Sequence, residues 1–165
     1  MKLRRILMHW RLSPWQVRRR FNRATLAAIQ QAIAASEQRH RGELRFVIEG
    51  HLSLLQLLRG LTARARAARL FDQLKIGHTA EHSGILLYVL LAERQVEIVA
   101  DHGITARVTQ EKWDALCARM TQLFAAGRYQ EGALAGIDGA TRLLSAHFPA
   151  RADNPDELDD APLVL

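Results

Sequence analysis

The sequence feature that most constrains the fold is the uninterrupted apolar run ILLYVLL, residues 85–91. A run of this length is far too short for a transmembrane helix, which needs about twenty residues. It is typical of a central strand that is buried on both faces of its sheet, because a strand with one exposed face alternates apolar and polar residues. A sheet built around such a strand needs helices on both sides, so the run predicts an α/β domain.

The residues on either side of this run predict two more strands. Glu93-Arg94 interrupts the apolar sequence, and Gln95–Asp101 then alternates apolar and polar residues, which is the pattern of a half-buried strand. The two strands form a hairpin. Earlier in the chain, Leu44–Glu49 is rich in β-branched and aromatic residues, which favours a strand there as well.

A helix is predicted between the first strand and the central strand. Ser53 and Gln56 have the spacing of a capping box, and apolar residues then recur at steps of three and four as far as Phe71. This pattern predicts one long helix. Because two strands joined by a crossover helix usually lie parallel, we predict a mixed β-sheet that combines a parallel βαβ unit with an antiparallel hairpin and is flanked by helices.

Helical periodicity identifies the remaining elements and the limits of the domain. The other predicted helices are 22–39, 109–127 and 129–148. The predicted organisation is a basic N-terminal arm at 1–23, an α/β body at 24–149, and an acidic tail at 150–165 that we expect to be disordered.

The N-terminal arm carries much of the positive charge. Eight basic residues precede the first acidic residue, Glu37, whereas five acidic residues lie within 153–160. The arm also contains Trp10 and Trp15, and this mixture suits an anionic membrane surface. Nucleic acid is a less favoured partner, because no groove-fitting motif or stacking platform is visible. Alternatively, the tryptophans pack onto the domain and the arm pairs with the acidic tail.

The cysteine content and the N-terminal sequence bear on location. Cys117 is the only cysteine, so no internal disulfide can form, and a lone thiol is compatible with a reducing compartment. Arginines and a proline interrupt the apolar residues at the N-terminus, so no signal peptide is predicted. We expect a cytoplasmic protein that is peripheral to the membrane, where the arm meets lipid or a protein partner.

Strand direction places three polar segments at one edge of the predicted sheet. With the first two strands parallel and the third antiparallel to them, the starts of the first two strands and the end of the third meet at that edge. The segments are 37–43, 78–84 and 101–103, and they contain four of the seven histidines. The primary metal-ligand candidates are Glu37, Glu43, His82 and Asp101. The secondary candidates are His40, His78, Glu81 and His102.

The residue types at this edge suit a divalent cation. Carboxylates from separate segments are typical of calcium or magnesium sites, whereas imidazoles favour zinc or a similar ion. The sequence therefore predicts a divalent-cation site and leaves calcium and zinc open. Water activated by such an ion could attack a phosphate ester. Alternatively, these residues form a solvated, hydrogen-bonded end of the sheet that holds no ion.

Strong enzyme motifs do not occur in the sequence. There is no Walker loop, HExxH helix, EF-hand loop or dinucleotide fingerprint, so no nucleotide cofactor is expected and no catalytic residue is assigned. Ser83 lacks the context of a nucleophile elbow and is interpreted as a turn residue. Cys117 lies in a helical apolar stripe and is interpreted as an unreactive core thiol.

Four stretches of the chain match the segments of a known family and occur in the same order. They are HRGELRFVIEG, RARAARLFDQL, SGILLYVLLAERQVEIVADHGI and AAGRYQEGALAGIDGATRLL. They resemble the TPM domain, which occurs in thylakoid lumen proteins of photosystem repair and in many bacterial proteins. The resemblance runs from about residue 27 to residue 148 and is most specific over 84–104. Among its members, the chain resembles the short soluble bacterial subtype.

The resemblance implies an α/β fold and two kinds of activity. Some TPM domains bind calcium or another divalent ion, and some have been assigned a phosphatase activity. This chain has His82-Ser83-Gly84 where relatives often have Asn-Asn-Gly, so its ligand types differ there. We predict a non-catalytic binding or accessory domain that takes a divalent cation at one sheet edge and works near a membrane-associated partner. The alternative is a metal-assisted phosphatase that uses the same cluster.

Overall fold

The computed structural model describes residues 2–79, 81–151 and 158–165. Its strands are β1 (Glu43–Glu49), β2 (Gly84–Leu90), β3 (Gln95–Ala100) and β4 (Leu163–Val164). They form one sheet in the order β3-β2-β1-β4. β1 is parallel to β2 and to β4, and β2 is antiparallel to β3, so the predicted mixed sheet is confirmed.

Helices cover both faces of this sheet. The helices of the N-terminal half are α1 (Lys2–Trp10), α2 (Pro14–Arg20), α3 (Arg23–Glu37), α4 (Leu54–Leu58) and α5 (Ala63–Gln73). The helices of the C-terminal half are α6 (His102–Thr105), α7 (Gln110–Ala125) and α8 (Tyr129–His147). A short 3-10 turn spans Ile76–His78. The helices predicted at 22–39, 109–127 and 129–148 correspond to α3, α7 and α8 and are confirmed.

The side chains of β2 alternate between two apolar cores. Ile85, Leu87 and Val89 lie in a core with α3, α7 and α8, while the side chains between them lie in a second core with α4 and α5. Every residue of β2 is buried. The apolar run is therefore a central strand covered on both faces, as predicted.

The prediction of one long helix after Ser53 is wrong. The capping box of Ser53 and Gln56 is present, but α4 ends at Leu58. Gly60 then adopts a positive φ of 74°, a backbone conformation that commonly ends helices. Thr62 begins α5 afresh, because its hydroxyl accepts a hydrogen bond from the N–H of Ala65 at 3.1 Å. The helical pattern continued through the break because apolar residues on both sides of it face the same core.

The N-terminal arm is helical and partly packed. Leu12, Val17 and Phe21 are buried in the core that contains α3 and α8, whereas Trp10 and Trp15 are largely exposed. No helix in the described ranges is both long and apolar enough to cross a bilayer. The arm therefore anchors itself to the body by aliphatic and phenyl side chains and leaves these two tryptophans outside the core.

The end of the acidic tail adds a strand to the sheet. Residues 152–157 lie outside the described residues, but Leu163 and Val164 pair with Val47 and Ile48 of β1. The N–H of Gly50 also donates to the carbonyl of Leu165 at 3.1 Å. The last residues of the tail are therefore ordered, contrary to the prediction of disorder.

A buried charge network links β1, β2 and α5. The carboxylate of Glu49 accepts hydrogen bonds from Arg66 Nε and Nη2, both at 2.9 Å, and from the hydroxyl of Tyr88 at 2.6 Å. Glu49 is buried, and an unpaired charge in such a place costs several kcal/mol. The network therefore fixes the crossover helix against the two parallel strands.

Removing the cation from this network should destabilise the fold. We expect Arg66→Met to lower the free energy of unfolding by about 3 kcal/mol, because the carboxylate of Glu49 would stay buried without its partner. Arg69→Met is the matched control, since Arg69 is exposed on the same helix, and it should change stability by less than about 0.5 kcal/mol. Urea denaturation measures both. Equal effects would show that the network does not hold α5 in place.

Candidate metal centre

The register of the sheet aligns the starts of β1 and β2 with the end of β3. Glu43 pairs with Gly84, and Ile85 pairs with Ala100. Asp101 follows immediately, and its N–H donates to the carbonyl of Gly84 at 2.9 Å. The edge predicted from strand direction is therefore present, and Gly84 lies between Glu43 and Asp101.

Three side chains at this edge lie close enough together to hold a metal ion: His82, Asp101 and His102. One ligand atom from each lies within 4.8 Å of the other two. Asp101 Oδ2 is 3.5 Å from His82 Nδ1, and Asp101 Oδ1 is 2.9 Å from His102 Nδ1. The centroids of the two imidazole rings are 4.1 Å apart. Within the described residues, no other three His, Cys, Asp or Glu side chains bring ligand atoms this close together.

A tight turn before β2 positions His82. His82 has a positive φ of 50°, and its N–H donates to the carbonyl of Thr79 at 3.1 Å. The Thr79 hydroxyl accepts from the N–H of Ser83 at 2.9 Å. Ser83 is buried, and its own hydroxyl donates to the carbonyl of Arg41 at 3.0 Å. Ser83 is thus the turn residue that the sequence predicted, and the turn directs His82 away from the strand.

The start of α6 positions the other two ligands. Asp101 is the N-cap of this helix and accepts from the N–H of His102 at 2.6 Å. A Cβ atom at Gly103 would lie 2.6 Å from the carbonyl oxygen of His82, which is closer than any side chain permits. Glycine at 103 therefore allows α6 to approach the His82 turn and brings the two imidazoles together.

The three ligands differ in burial. The side chain of Asp101 is only 11% exposed, whereas those of His82 and His102 are 53% and 71% exposed. Asp101 Oδ2 is buried and accepts no hydrogen bond from the described residues. A buried carboxylate oxygen without a donor is costly, and a cation held beside the imidazoles would satisfy it.

A small tetrahedral ion would require the three side chains to move closer together. Zinc bonds nitrogen and oxygen at about 2.0–2.1 Å, which places neighbouring ligand atoms about 3.3 Å apart. The ligand atoms of these side chains now lie within 4.8 Å of one another, so binding of zinc would have to draw them together. Three protein ligands would leave one position of a tetrahedral ion for water or another ligand.

The two glutamates predicted as primary ligands lie in a separate, buried cluster. Glu43 Oε2 accepts a hydrogen bond from the N–H of Leu158 at 3.1 Å, and Glu37 is hydrogen-bonded to Asp160. Burial, the hydrogen bond to Asp160 and the repulsion from Glu43 and Asp160 raise the pKa of Glu37 to about 9. Neither glutamate belongs to the group formed by His82 and the two residues at the start of α6.

The secondary candidates are also divided. His102 joins the group of three, whereas His78 is exposed on the 3-10 turn and Glu81 pairs with Arg41 and Arg151. His40 is fully buried, and burial lowers its pKa to about 4. His40 is therefore neutral at physiological pH.

Asp160 and Cys117 also bear on the predictions made from the sequence. Asp160 was not recognised as a partner of Glu37, because it lies in the tail that was expected to be disordered. The apolar residues that follow it, APLVL, were the available signal of a terminal strand. Burial, with smaller effects from Glu97 and Asp114, raises the pKa of the Cys117 thiol to about 12, which agrees with the interpretation of an unreactive thiol.

Comparisons with known proteins agree with this fold. The family model of the TPM domain matches residues 18–143. The chain is similar to the BA42 protein of the psychrophilic bacterium Bizionia argentinensis, solved by NMR, with 27% identity over 86% of this chain and 93% of that chain and a TM-score of 0.76. It shares the fold of the N-terminal domain of a P. gingivalis protein, with 19% identity over 79% of this chain and 82% of that domain and a TM-score of 0.63. No curated protein matches the chain.

The buried groups Glu37 and His40 should make stability depend on pH in opposite directions. The pKa of Glu37 is raised from 4.5 to about 9, so between these values the folded state holds a proton that the unfolded state releases, and stability falls as pH rises. The pKa of His40 is lowered from 6.5 to about 4, so stability rises with pH in that interval. The two effects oppose each other between pH 4.5 and pH 6.5, and between pH 6.5 and pH 9 only that of Glu37 remains.

We therefore expect the free energy of unfolding to fall between pH 7 and pH 9, by at most about 1.4 kcal/mol per pH unit for one proton. Glu37→Gln should remove most of this slope, while Glu111→Gln, at an exposed position on α7, should retain it. Urea denaturation across this pH range measures the slope. An unchanged slope in Glu37→Gln would contradict the raised pKa.

Proposed function

This chain belongs to the TPM domain family, and we propose that it is a non-catalytic binding domain that takes a divalent transition-metal ion between His82, Asp101 and His102. The observation that supports this proposal is the buried Asp101 Oδ2, which accepts no hydrogen bond from the described residues and faces His82 Nδ1 at 3.5 Å. A cation in this position would neutralise the carboxylate and use the lone pairs of both imidazoles.

The ligand types favour zinc over calcium. Calcium takes six to eight oxygen ligands, whereas this group offers two imidazoles and one carboxylate. Imidazole suits zinc, copper, iron and nickel. Glu37 and Glu43 would have added oxygen ligands, but they are engaged in the cluster with Asp160 and Leu158. The proposed ion is therefore zinc or a metal of similar preference.

The exposure of the site supports an accessory role. Because His82 and His102 are more than half exposed, an ion between them would lie at the surface with an open coordination position. A carboxylate or imidazole of another protein could fill that position. We propose that such a partner is associated with the membrane, and the basic N-terminal arm supports this part of the proposal.

Zinc should raise the melting temperature of the wild-type protein. A ligand that binds only the folded state stabilises it by about 2.7 kcal/mol when its free concentration is one hundred times its Kd. Asp101→Asn should abolish the shift while keeping a good N-cap for α6, and His102→Ala should also abolish it. His78→Ala, at an exposed histidine outside the group, should keep the full shift.

Calcium, added at the same concentrations, should leave the melting temperature unchanged. A zinc shift that survives Asp101→Asn would place the ion elsewhere, and the absence of any shift with zinc, cobalt or nickel would reject the proposal. A shift with calcium alone would point to an oxygen-rich site instead.

A metal-assisted phosphoesterase is the second candidate, and the exposure of His82 and His102 favours it, since an ion held between them would keep a coordination position accessible to substrate. A bound ion would act as a Lewis acid and supply activated water at neutral pH. The zinc-loaded protein should then hydrolyse a phosphate monoester, and Asp101→Asn should remove the activity while His78→Ala retains it. Equal turnover in both variants would indicate a contaminating enzyme, and no turnover by protein that demonstrably binds zinc would leave the non-catalytic role.

A further inference from the structure

Exposed large apolar side chains are concentrated on α1 and α4. Within the described residues, seven of the ten such side chains lie on these two helices, which contact each other. They are Leu3, Leu7, Met8, Trp10, Leu54, Leu55 and Leu58. We call them the α1/α4 surface. Leu3 and Trp10 are 81% and 84% exposed, which is unusual for side chains of this size on two neighbouring helices.

α1 turns two polar side chains towards the body of the protein, beside Ile6, which packs against the core that contains α4 and α5. Its polar side chains Arg5 and His9 point inward: Arg5 Nε donates to Glu93 Oε1 at 2.6 Å, and His9 Nε2 lies 2.7 Å from the same oxygen. His9 is buried, and its Nδ1 accepts from the N–H of Leu52 at 3.0 Å. A helix that covers a soluble core normally buries its apolar face. α1 is instead held by these polar contacts together with the packing of Ile6.

The inward polar contacts leave an apolar stripe on the outside of α1. Leu3, Leu7 and Trp10 are spaced at i, i+4 and i+7, so they lie on one face of the helix. All three are exposed. The anchoring bonds fix the direction of this face, so its leucines and tryptophan are presented outward by a defined structure.

The chain segments that carry this surface contain basic residues and no acidic residues. Residues 1–36 and 50–71 contain no Asp or Glu, and the exposed cations on these segments include Arg4, Arg11 and Arg59. Glu93, which lies between β2 and β3, contacts α1, but it pairs with Arg5 and His9 on the inner face of the helix. In the described part of the acidic tail, Asp159 pairs with Arg45 on β1. A partner that binds the α1/α4 surface should therefore offer apolar groups to the leucines and Trp10, and negative charge to the arginines beside them.

An anionic bilayer has this arrangement. Amphipathic helices with basic and apolar or aromatic residues lie in the plane of the interface with their apolar side chains about 5–10 Å into the headgroup and acyl boundary. Tryptophan is enriched at the same depth. Arginines beside the apolar face then contact lipid phosphates.

We propose that the α1/α4 surface docks onto an anionic phospholipid membrane, with Leu3, Leu7 and Trp10 inserted below the headgroups and Arg4 and Arg11 among the phosphates. The leucines of α4 enlarge the inserted area. This surface shares no residue with the metal centre, so membrane docking does not require metal.

Vesicle co-sedimentation of the full chain in the presence of a metal chelator tests the proposal. The protein should bind vesicles of phosphatidylglycerol and phosphatidylcholine, bind pure phosphatidylcholine much more weakly, and dissociate as salt screens the charges. Arg4→Gln with Arg11→Gln should weaken binding about thirtyfold, because each arginine contributes about fivefold near an anionic surface. Leu7→Ser with Trp10→Ser should also release the protein from the vesicles.

Two matched variants separate a defined surface from a general effect of charge or aromaticity. Lys112→Gln with Arg119→Gln removes the same charge from exposed positions on α7, and Trp15→Ser removes an exposed tryptophan from α2. Both should bind vesicles as the wild type does. Unchanged thermal melting of all variants shows that they fold.

Absence of vesicle binding would overturn the proposal. Equal losses in the α1 and α7 charge variants would also overturn it, since net charge alone would then explain binding. If the protein instead forms a dimer without vesicles and Leu7→Ser with Trp10→Ser dissociates it, the occupant is a second copy and not a membrane.

Discussion

The hydrogen-bonded pairing of β2 with β1 on one side and β3 on the other is the constraint on which the rest of the structure depends. Every residue of β2 is buried, and Tyr88 carries its only side-chain polar group, so alternation of polarity does not define its register. Polar and steric contacts supply that definition. The hydroxyl of Tyr88 meets the carboxylate of Glu49 at one end, and a Cβ at Gly84 would lie 1.9 Å from the carbonyl oxygen of Ile76 at the other. Glycine at 84 therefore fixes where the strand begins.

This register places two polar clusters of different character side by side. Glu43 and Asp101 flank Gly84 at one edge of the sheet. On the Glu43 side, the terminal residues of the chain cover the edge, and burial raises the pKa of Glu37. On the Asp101 side, two histidines stay exposed above a buried carboxylate. Because the tail covers it, the cluster around Glu43 has a structural role. The cluster around Asp101 is uncovered and is therefore accessible to an ion.

The sequence predicted the elements that depend on periodicity and strand direction. The run at 85–91 predicted a doubly covered strand, and parallel and antiparallel pairing predicted the polar edge. The sequence did not predict which side chains at that edge lie together, because periodicity indicates which face of a helix or strand a residue lies on but not the conformation of a turn. The positive φ of His82 and the close approach at Gly103 decide the convergence. Contacts distant in sequence were also missed, such as those of Glu93 with Arg5 and His9, which turn the polar face of α1 inward.

The most direct test of the metal centre is the response of individual histidine rings to zinc. In two-dimensional NMR spectra of the imidazole nitrogens, His82 and His102 should shift together and saturate at one equivalent of zinc, since direct ligation changes the nitrogen environment. His78 and His147 should stay unchanged. Shifts of His78 or His147 that match those of His82 and His102, or no shift of the latter pair, would contradict a centre built from His82, Asp101 and His102.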